Sequence, residues 1–119
     1  MEKDVSSFVT VLLHSGTVTH LQHWSTDSFA EHMALGEYYE EIIELVDDYA
    51  EAYMGKYEQL KAFPQDFHAS DNPVEYLTTV KDFVEQSRKH LPDDTELMNI
   101  VDEIADLINS TLYKLRFLR

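Results

Sequence analysis

Residues 95–117 read TELMNIVDEIADLINSTLYKLRF, and this stretch carries the clearest structural pattern in the chain. Its apolar residues recur at intervals of three and four, the spacing of one face of an α-helix. They are Leu97, Ile100, Val101, Ile104, Leu107, Ile108, Leu112 and Leu115. Asp93 or Asp94 can cap the start of such a helix after Pro92. The pattern predicts a helix over Thr95–Phe117.

The segment before this helix has its own start signal. Asn72 is a capping residue, Pro73 suits the first helical position, and Glu75 follows three residues after the cap. The apolar face of the segment is Leu77, Val80, Phe83, Val84 and Leu91. We predict a helix near Val74–His90, antiparallel to the last helix because the connection between them is short.

A longer helix is predicted over Phe29–Met54. Ser28 and Glu31 form a capping box at its start, and Gly55 follows its end. Its apolar pattern predicts a buried stripe made of Phe29, Met33, Gly36, Tyr39, Ile43, Val46, Ala50 and Tyr53.

The first segment, Val5–Trp24, is ambiguous. Its β-branched residues could form strands, but its apolar positions keep one helical face, which favours a helix. The small residues on that face, Ser15, Gly16 and Thr19, would let another helix approach closely. Together with the aromatic residues Trp24 and Tyr39, they predict that the first two helices form the interface of at least a dimer.

The connection Gly55–Asp71 joins the second and third helices. Its 17 residues could reach about 55 Å when extended, whereas the second helix would span roughly 40 Å. The connection is therefore long enough to cross the whole bundle. We expect a single all-α domain over residues 1–119, a four-helix bundle with the long crossover between helices 2 and 3 that is found in ferritin-like folds.

The chain is strongly acidic. It contains 23 Asp and Glu residues against 9 Lys and Arg, which gives a formal net charge of −14. Because nucleic-acid binding depends on neutralising phosphates with basic side chains, no direct DNA binding is expected. The sequence has no cysteine, no apolar run long enough to span a bilayer and no signal-peptide pattern at its start. We expect a cytoplasmic protein without membrane association.

Four residues could carry metal chemistry. His23 lies near the end of the first helix, and His32 lies one turn into the second. Asp47 and Glu51 follow His32 on the same helix, 15 and 19 residues later, which places all three near one stripe. Imidazole nitrogen and carboxylate oxygen together suit iron, zinc or manganese.

These residues resemble the Dps branch of the ferritin-like superfamily, the miniature ferritins. That family has a His-Trp pair at the end of its first helix, then a Phe three residues before a second His, then Asp and Glu 15 and 19 residues farther on. His23-Trp24, Phe29, His32, Asp47 and Glu51 stand in that order here. The resemblance covers about Leu12–Gly55, roughly the first half of the chain.

The resemblance implies a site shared by two subunits. His23 and His32 of one subunit would face Asp47 and Glu51 of a two-fold partner. Together they would bind iron and oxidise Fe(II) with peroxide or dioxygen. Gly36 stands where the family often has a further carboxylate, so one well-held ion is favoured over two.

Simpler interpretations stand beside this one. The histidines could merely pack and hydrogen-bond, and Asp47 and Glu51 could belong to a solvated acidic face. His14 and His20 are more typical of packing or surface residues. The alternative function is a non-catalytic acidic helical bundle that binds a protein partner or a small ligand while keeping the ferritin-like frame.

Overall fold

The computed structural model describes residues 1–65 and 67–119. It contains four α-helices: α1 (Glu2–Ser25), α2 (Phe29–Lys56), α3 (Pro73–Ser87) and α4 (Thr95–Phe117). The described residues include no strand. The predicted all-α class is therefore confirmed, and α4 has the predicted bounds. The third helix ends earlier than predicted, because Arg88–His90 tighten into a 3-10 turn.

Two of the predicted caps are present. The Ser28 side chain accepts a hydrogen bond from the backbone N–H of Glu31 at 3.2 Å, and Asn72 accepts one from Glu75 N at 3.1 Å. These bonds satisfy backbone donors at the start of α2 and α3 that have no partner within the helix. Asp94 precedes α4, but its carboxylate binds Tyr57 and Lys56 instead.

α1 is a continuous helix despite its β-branched residues. Such residues disfavour a helix by a few tenths of a kcal/mol each, and burial of one face offsets that cost. Val5, Phe8 and Leu12 are completely buried. Phe8 packs edge-on against Tyr49 of α2, with 5.2 Å between ring centroids, and stacks with Phe83 of α3 at 6.4 Å.

Ion pairs at opposite ends of α2 and α4 establish that these helices are antiparallel. Lys56, at the end of α2, lies 2.6 Å from Asp94, which precedes α4. Near the start of α2, Glu37 accepts a 2.7 Å hydrogen bond from Lys114, close to the end of α4. Between the two pairs, the facing helices bury apolar residues that include Ile42, Val46, Ile104 and Ile108.

The predicted buried stripe of α2 is confirmed at Val46 and Tyr53, but it is wrong at three positions between Phe29 and Ile43. Phe29, Met33 and Ile43 were expected inside, but they are 77%, 48% and 42% exposed. The core face instead consists of Ala34, Leu35, Tyr38, Ile42, Val46, Tyr49 and Tyr53. The physical reason is that α2 carries two apolar stripes, of which only one faces the core of this chain.

The small residues of α1 face α2 of the same chain. A methyl group on Gly16 would lie 3.4 Å from Cγ2 of Ile42, so the two helices already meet closely there. The buried Ser15 hydroxyl donates to the Leu12 carbonyl at 2.6 Å and accepts a 2.8 Å hydrogen bond from Tyr38. The close approach predicted at these positions is therefore used within the chain, and they cannot also form a dimer interface.

Within the described residues, no helix combines the length and the apolar character needed to cross a membrane.

Candidate functional site

His23 and His32 hold each other across the turn between α1 and α2. Nδ1 of His23 lies 2.5 Å from the backbone oxygen of His32, and Nδ1 of His32 lies 2.8 Å from the backbone oxygen of His23. The rings stack with 3.6 Å between centroids and 16° between planes. Because a carbonyl oxygen only accepts hydrogen bonds, each Nδ1 must carry the proton and donate it.

This pairing fixes the tautomer of both imidazoles. A neutral histidine with its proton on Nδ1 keeps a lone pair on Nε2. Metal-ligating histidines usually donate their other ring N–H to a carbonyl or carboxylate, which orients the ring and raises its basicity. His23 and His32 therefore have the hydrogen-bonding arrangement of metal ligands.

Gly36 makes room for the His23 ring. A methyl group on Gly36 would lie 3.1 Å from Cε1 and 3.3 Å from Nδ1 of His23, tighter than an ordinary van der Waals contact. Gly36 is the position where the resembling family often has a further carboxylate. In this structure the His23 ring packs there directly against the helix backbone. Any side chain at this position would displace the imidazole from its present place.

Aromatic rings surround the histidine pair. His20 stacks on Tyr39, with 3.9 Å between centroids and 9° between planes. Its ring centroid also lies 4.6 Å from that of Trp24 and 6.1 Å from that of His23. His20 thus packs, as the sequence indicated. Trp24 is 68% exposed, although it lies beside the pair.

Asp47 and Glu51 are far from the histidines of their own chain. They lie 15 and 19 residues beyond His32 on the same helix, which corresponds to roughly 22 and 28 Å at about 1.5 Å per residue. Both side chains are exposed, and neither forms an ion pair with any residue that the structure describes. The described part of a single chain brings together no three His, Asp or Glu side chains that could hold an ion. The structure therefore joins His23 to His32 but leaves the two carboxylates apart from them.

A family model described as "Family of unknown function (DUF5856)" matches residues 23–115. The chain belongs to this family. The match begins at His23 and includes His32, Asp47 and Glu51. No curated protein and no solved structure gives a significant match to the chain.

This DUF5856 chain exposes an apolar surface on α1 and α2, which we call the outer stripe. It consists of Leu13, Leu21, Trp24, Phe29, Met33 and Ile43, all of them at least 42% exposed. Single exposed apolar residues are ordinary, but several of them on two adjacent helices can mark an interaction surface. Sequence analysis predicted an interface on these two helices that included Trp24, but it assigned Phe29, Met33 and Ile43 to the core. The detectable signal was the second apolar stripe of α2.

A second feature of this DUF5856 chain is a groove between α2 and α4, with a volume of about 490 Å³. Leu45 and Leu107 contribute apolar surface to it. Its acidic side chains are Glu37, Glu41, Glu44, Asp48, Glu103 and Asp106. Lys114 also lines the groove, but its ammonium group is paired with Glu37. The groove therefore presents concentrated negative charge around a small apolar floor.

Proposed function

We propose that the protein is a ferritin-like metal-binding protein whose site is shared by two copies of the chain. His23 and His32 of one copy would supply two nitrogens, and Asp47 and Glu51 of the other would supply the oxygens. The observation that carries the proposal is the reciprocal hydrogen bonding of His23 and His32, which prepares both Nε2 atoms for a metal.

Contacts between the helices support the ferritin-like topology. α2 and α3 each run antiparallel to α4, since ion pairs align α2 with α4 and a short connection links α3 to α4. Gln22, near the end of α1, donates a 2.7 Å hydrogen bond to the Ser70 carbonyl, just before α3. α2 and α3 would then start at the same end of the bundle. The segment 57–72 would have to run the length of the bundle between them, as in the long ferritin-like crossover. Asp66, within that segment, lies outside the described residues.

The outer stripe supports pairing of two copies. An apolar surface of this kind on a small protein is typical of a protein–protein interface, and it lies on the helices that carry all four candidate ligands. A two-fold axis that crosses α2 near Glu40, midway between His32 and the two carboxylates, would set His32 of each copy opposite Asp47 and Glu51 of the other. Such an isologous contact satisfies both copies at once.

The negative charge of the second half of α2 favours the same arrangement. Asp47 and Glu51 belong to an acidic part of the helix, where carboxylates repel one another. A divalent cation relieves that repulsion, and mixed nitrogen and oxygen ligands suit iron, zinc or manganese. With iron bound, the reaction would be oxidation of Fe(II) to Fe(III). Two Fe(II) ions, one from each site of the dimer, would supply the two electrons that reduce one peroxide, with two protons, to two water molecules, and four Fe(II) ions would reduce one dioxygen to water. Gly36 supplies no bridging carboxylate, which favours one ion at each site.

An anaerobic Fe(II) titration followed by addition of peroxide tests this function. We expect saturable binding, and then the absorbance of ferric ion. Bound metal should stabilise the fold by about 2.7 kcal/mol at a hundredfold excess over its dissociation constant. His32→Ala and Glu51→Ala should lose the saturable binding, the ferric absorbance and the stabilisation. Glu41→Ala, which removes another exposed acid of α2, should keep all three. Equal behaviour of the wild type and all three variants would contradict the proposal.

The α2–α4 groove favours the second candidate, a non-catalytic bundle that binds a protein partner. Six carboxylates around Leu45 and Leu107 would complement a basic amphipathic helix. A labelled Lys/Leu-rich helical peptide should then bind with an affinity that falls as salt rises. Leu107→Lys should abolish its binding. Both candidates are compatible with the cytoplasmic location that we infer for the protein.

A further inference from the structure

A separate cavity lies between α1, α3 and the segment that connects α2 to α3. Its volume is about 330 Å³. Val11, Phe67, Val80 and Phe83 give it apolar and aromatic walls, and the polar side chains of His14 and Tyr76 also line it. It is remote from the histidine pair, and an inference about it does not depend on the proposed metal site.

Tyr76 is the unusual member of this lining. Its side chain is 94% buried, since only 6% of the residue is exposed. Within residues 1–65 and 67–119, its hydroxyl makes no hydrogen bond, whereas the buried Tyr38 hydroxyl is satisfied by Ser15. Burial raises the pKa of Tyr76 to about 12, so the hydroxyl remains neutral and can donate. Tyr76 lines the cavity, so a molecule bound there could accept a hydrogen bond from its hydroxyl.

His14 supplies a second polar group on the same cavity. Its ring lies against Phe67, with 4.3 Å between ring centroids. Burial lowers the pKa of His14, which favours the neutral imidazole, whose unprotonated nitrogen can accept a hydrogen bond. The described lining includes no Lys or Arg. A carboxylate or phosphate would therefore enter without a counter-charge, into a protein whose net charge is −14.

The volume of the cavity and its entrance limit the size and shape of the ligand. A dry apolar cavity of about 150 Å³ can hold one benzene ring, and this cavity has roughly twice that volume. Phe67, which forms one wall, is 51% exposed, and it also lines an open groove beside Leu13 and Ile43. A flat molecule could therefore enter beside Phe67 without opening the helical core.

We propose that this cavity binds a neutral two-ring aromatic molecule that carries one hydroxyl or carbonyl group. The rings would pack between Val11, Val80 and Phe83. The polar group would accept the hydrogen bond of the Tyr76 hydroxyl, and a ligand hydroxyl could also donate to His14. Small-molecule sites typically combine a mostly apolar lining with a few polar groups in this way.

The test uses 2-naphthol as the probe, naphthalene as its matched apolar analogue, and the full chain followed by NMR. We expect saturable one-to-one binding of 2-naphthol, with nuclear Overhauser contacts from its ring protons to the Val80 methyl groups. Val11→Trp, which fills the cavity, should weaken 2-naphthol binding at least tenfold. Asn109→Trp adds the same ring to the exposed side of α4, away from the cavity and its entrance, and should leave 2-naphthol binding unchanged.

A third variant isolates the hydroxyl of Tyr76. Tyr76→Phe should weaken 2-naphthol binding roughly three- to tenfold, the effect of losing one hydrogen bond, and should leave naphthalene binding unchanged. The wild-type contact pattern keeps the proposal testable even if Val11→Trp fails to fold. The proposal is overturned by unsaturable binding, by ligand contacts to Leu13 and Ile43 without Val80, or by a folded Val11→Trp that binds like wild type.

Discussion

Gly36 of α2 lies so close to the imidazole of His23 that a methyl group on its Cα would sit 3.1 Å from Cε1 of that ring. Replacing glycine by alanine inside a helix usually stabilises it by about 0.5–1 kcal/mol. We expect Gly36→Ala to lose most of that gain, because the His23 ring must move. Chemical denaturation measures the stability, and the imidazole ¹⁵N shifts report the displaced ring.

Gly55→Ala is the matched control on the same helix. Among the described residues, nothing lies within 4 Å of the methyl group that this substitution adds. Gly55→Ala should therefore raise the free energy of unfolding by up to about 1 kcal/mol. An equal gain from Gly36→Ala, with unchanged His23 shifts, would contradict the close packing of His23 on α2.

The Ser15–Tyr38 hydrogen bond gives a stability prediction for the core. Ser15→Ala would leave the completely buried Tyr38 hydroxyl without its partner, which should cost about 1–3 kcal/mol. Adding Tyr38→Phe to that variant should recover part of the loss, and a double-mutant cycle measures the coupling.

Tyr49→Phe provides the comparison for this cycle. Tyr49 is also completely buried, and its hydroxyl has no hydrogen-bond partner among the residues described. Removal of this hydroxyl should therefore be neutral or stabilising. If Tyr49→Phe lowers the free energy of unfolding as much as Tyr38→Phe does, it is incorrect that only the Tyr38 hydroxyl forms a stabilising hydrogen bond.

Asp94 links the end of α2 to the start of α4 and should make stability depend on acid pH. Hydrogen bonds from Lys56 and Tyr57 lower the pKa of Asp94 from 3.8. The folded state therefore favours the ionised form. The stabilisation is present above pH 3.8 and disappears as the pH falls through the lower folded value.

Asp94→Asn should accordingly lower the melting temperature at pH 7 and differ less from wild type near pH 2–3. Asp93→Asn, one residue earlier, is the control, because Asp93 makes no ion pair within the described part of the chain. If the melting temperature of Asp94→Asn differs from that of wild type by the same amount at every pH, then ionisation of Asp94 does not contribute to stability as proposed.

The outer stripe should mediate dimer formation. Ile43 lies close to the two-fold axis proposed near Glu40, so Ile43→Glu would place two added carboxylates near each other in the dimer. We expect this variant to sediment as a folded monomer at concentrations where wild type is a dimer. Tyr113→Glu, on the exposed face of α4, should remain dimeric. A monomeric wild type at micromolar concentration would remove both the dimer and the shared site.

Local sequence signals predicted where the helices begin better than they predicted which face of a helix is buried. The capping residues Ser28 and Asn72 marked helix starts, because their hydrogen bonds involve residues only three positions away. Val46 and Tyr53 were assigned correctly to the core, but the buried face of the first half of α2 was predicted wrongly. Both stripes of that half are apolar, and periodicity alone cannot distinguish the core stripe from the outer one. Phe29, Met33 and Ile43 were assigned inside for that reason.

The candidate site was predictable only in part. Spacing and the family resemblance selected His23 and His32 as candidate ligands, but their reciprocal bonds to backbone oxygens depend on the geometry of the turn between α1 and α2. The cavity beside Tyr76 had no sequence signal, because the segment 57–72 lacks the periodicity that defines a helical face. Long-range packing of irregular chain against α1 and α3 creates this cavity.

The shared site makes a prediction that a site within one chain does not. One variant, His23→Ala with His32→Ala, lacks the nitrogens, and a second, Asp47→Ala with Glu51→Ala, lacks the carboxylates. Neither homodimer would have an intact site, but each mixed dimer would have one, with histidines from the second variant and carboxylates from the first.

Calorimetric titration of the two variants with anaerobic Fe(II), separately and after mixing, measures this most directly. We expect no tight binding to either variant alone. About half of the chains become mixed dimers at equal concentrations, which should give roughly one ion per four chains. Failure of the mixture to bind, when wild type binds and mixed dimers are shown to form, would contradict a site shared by two copies.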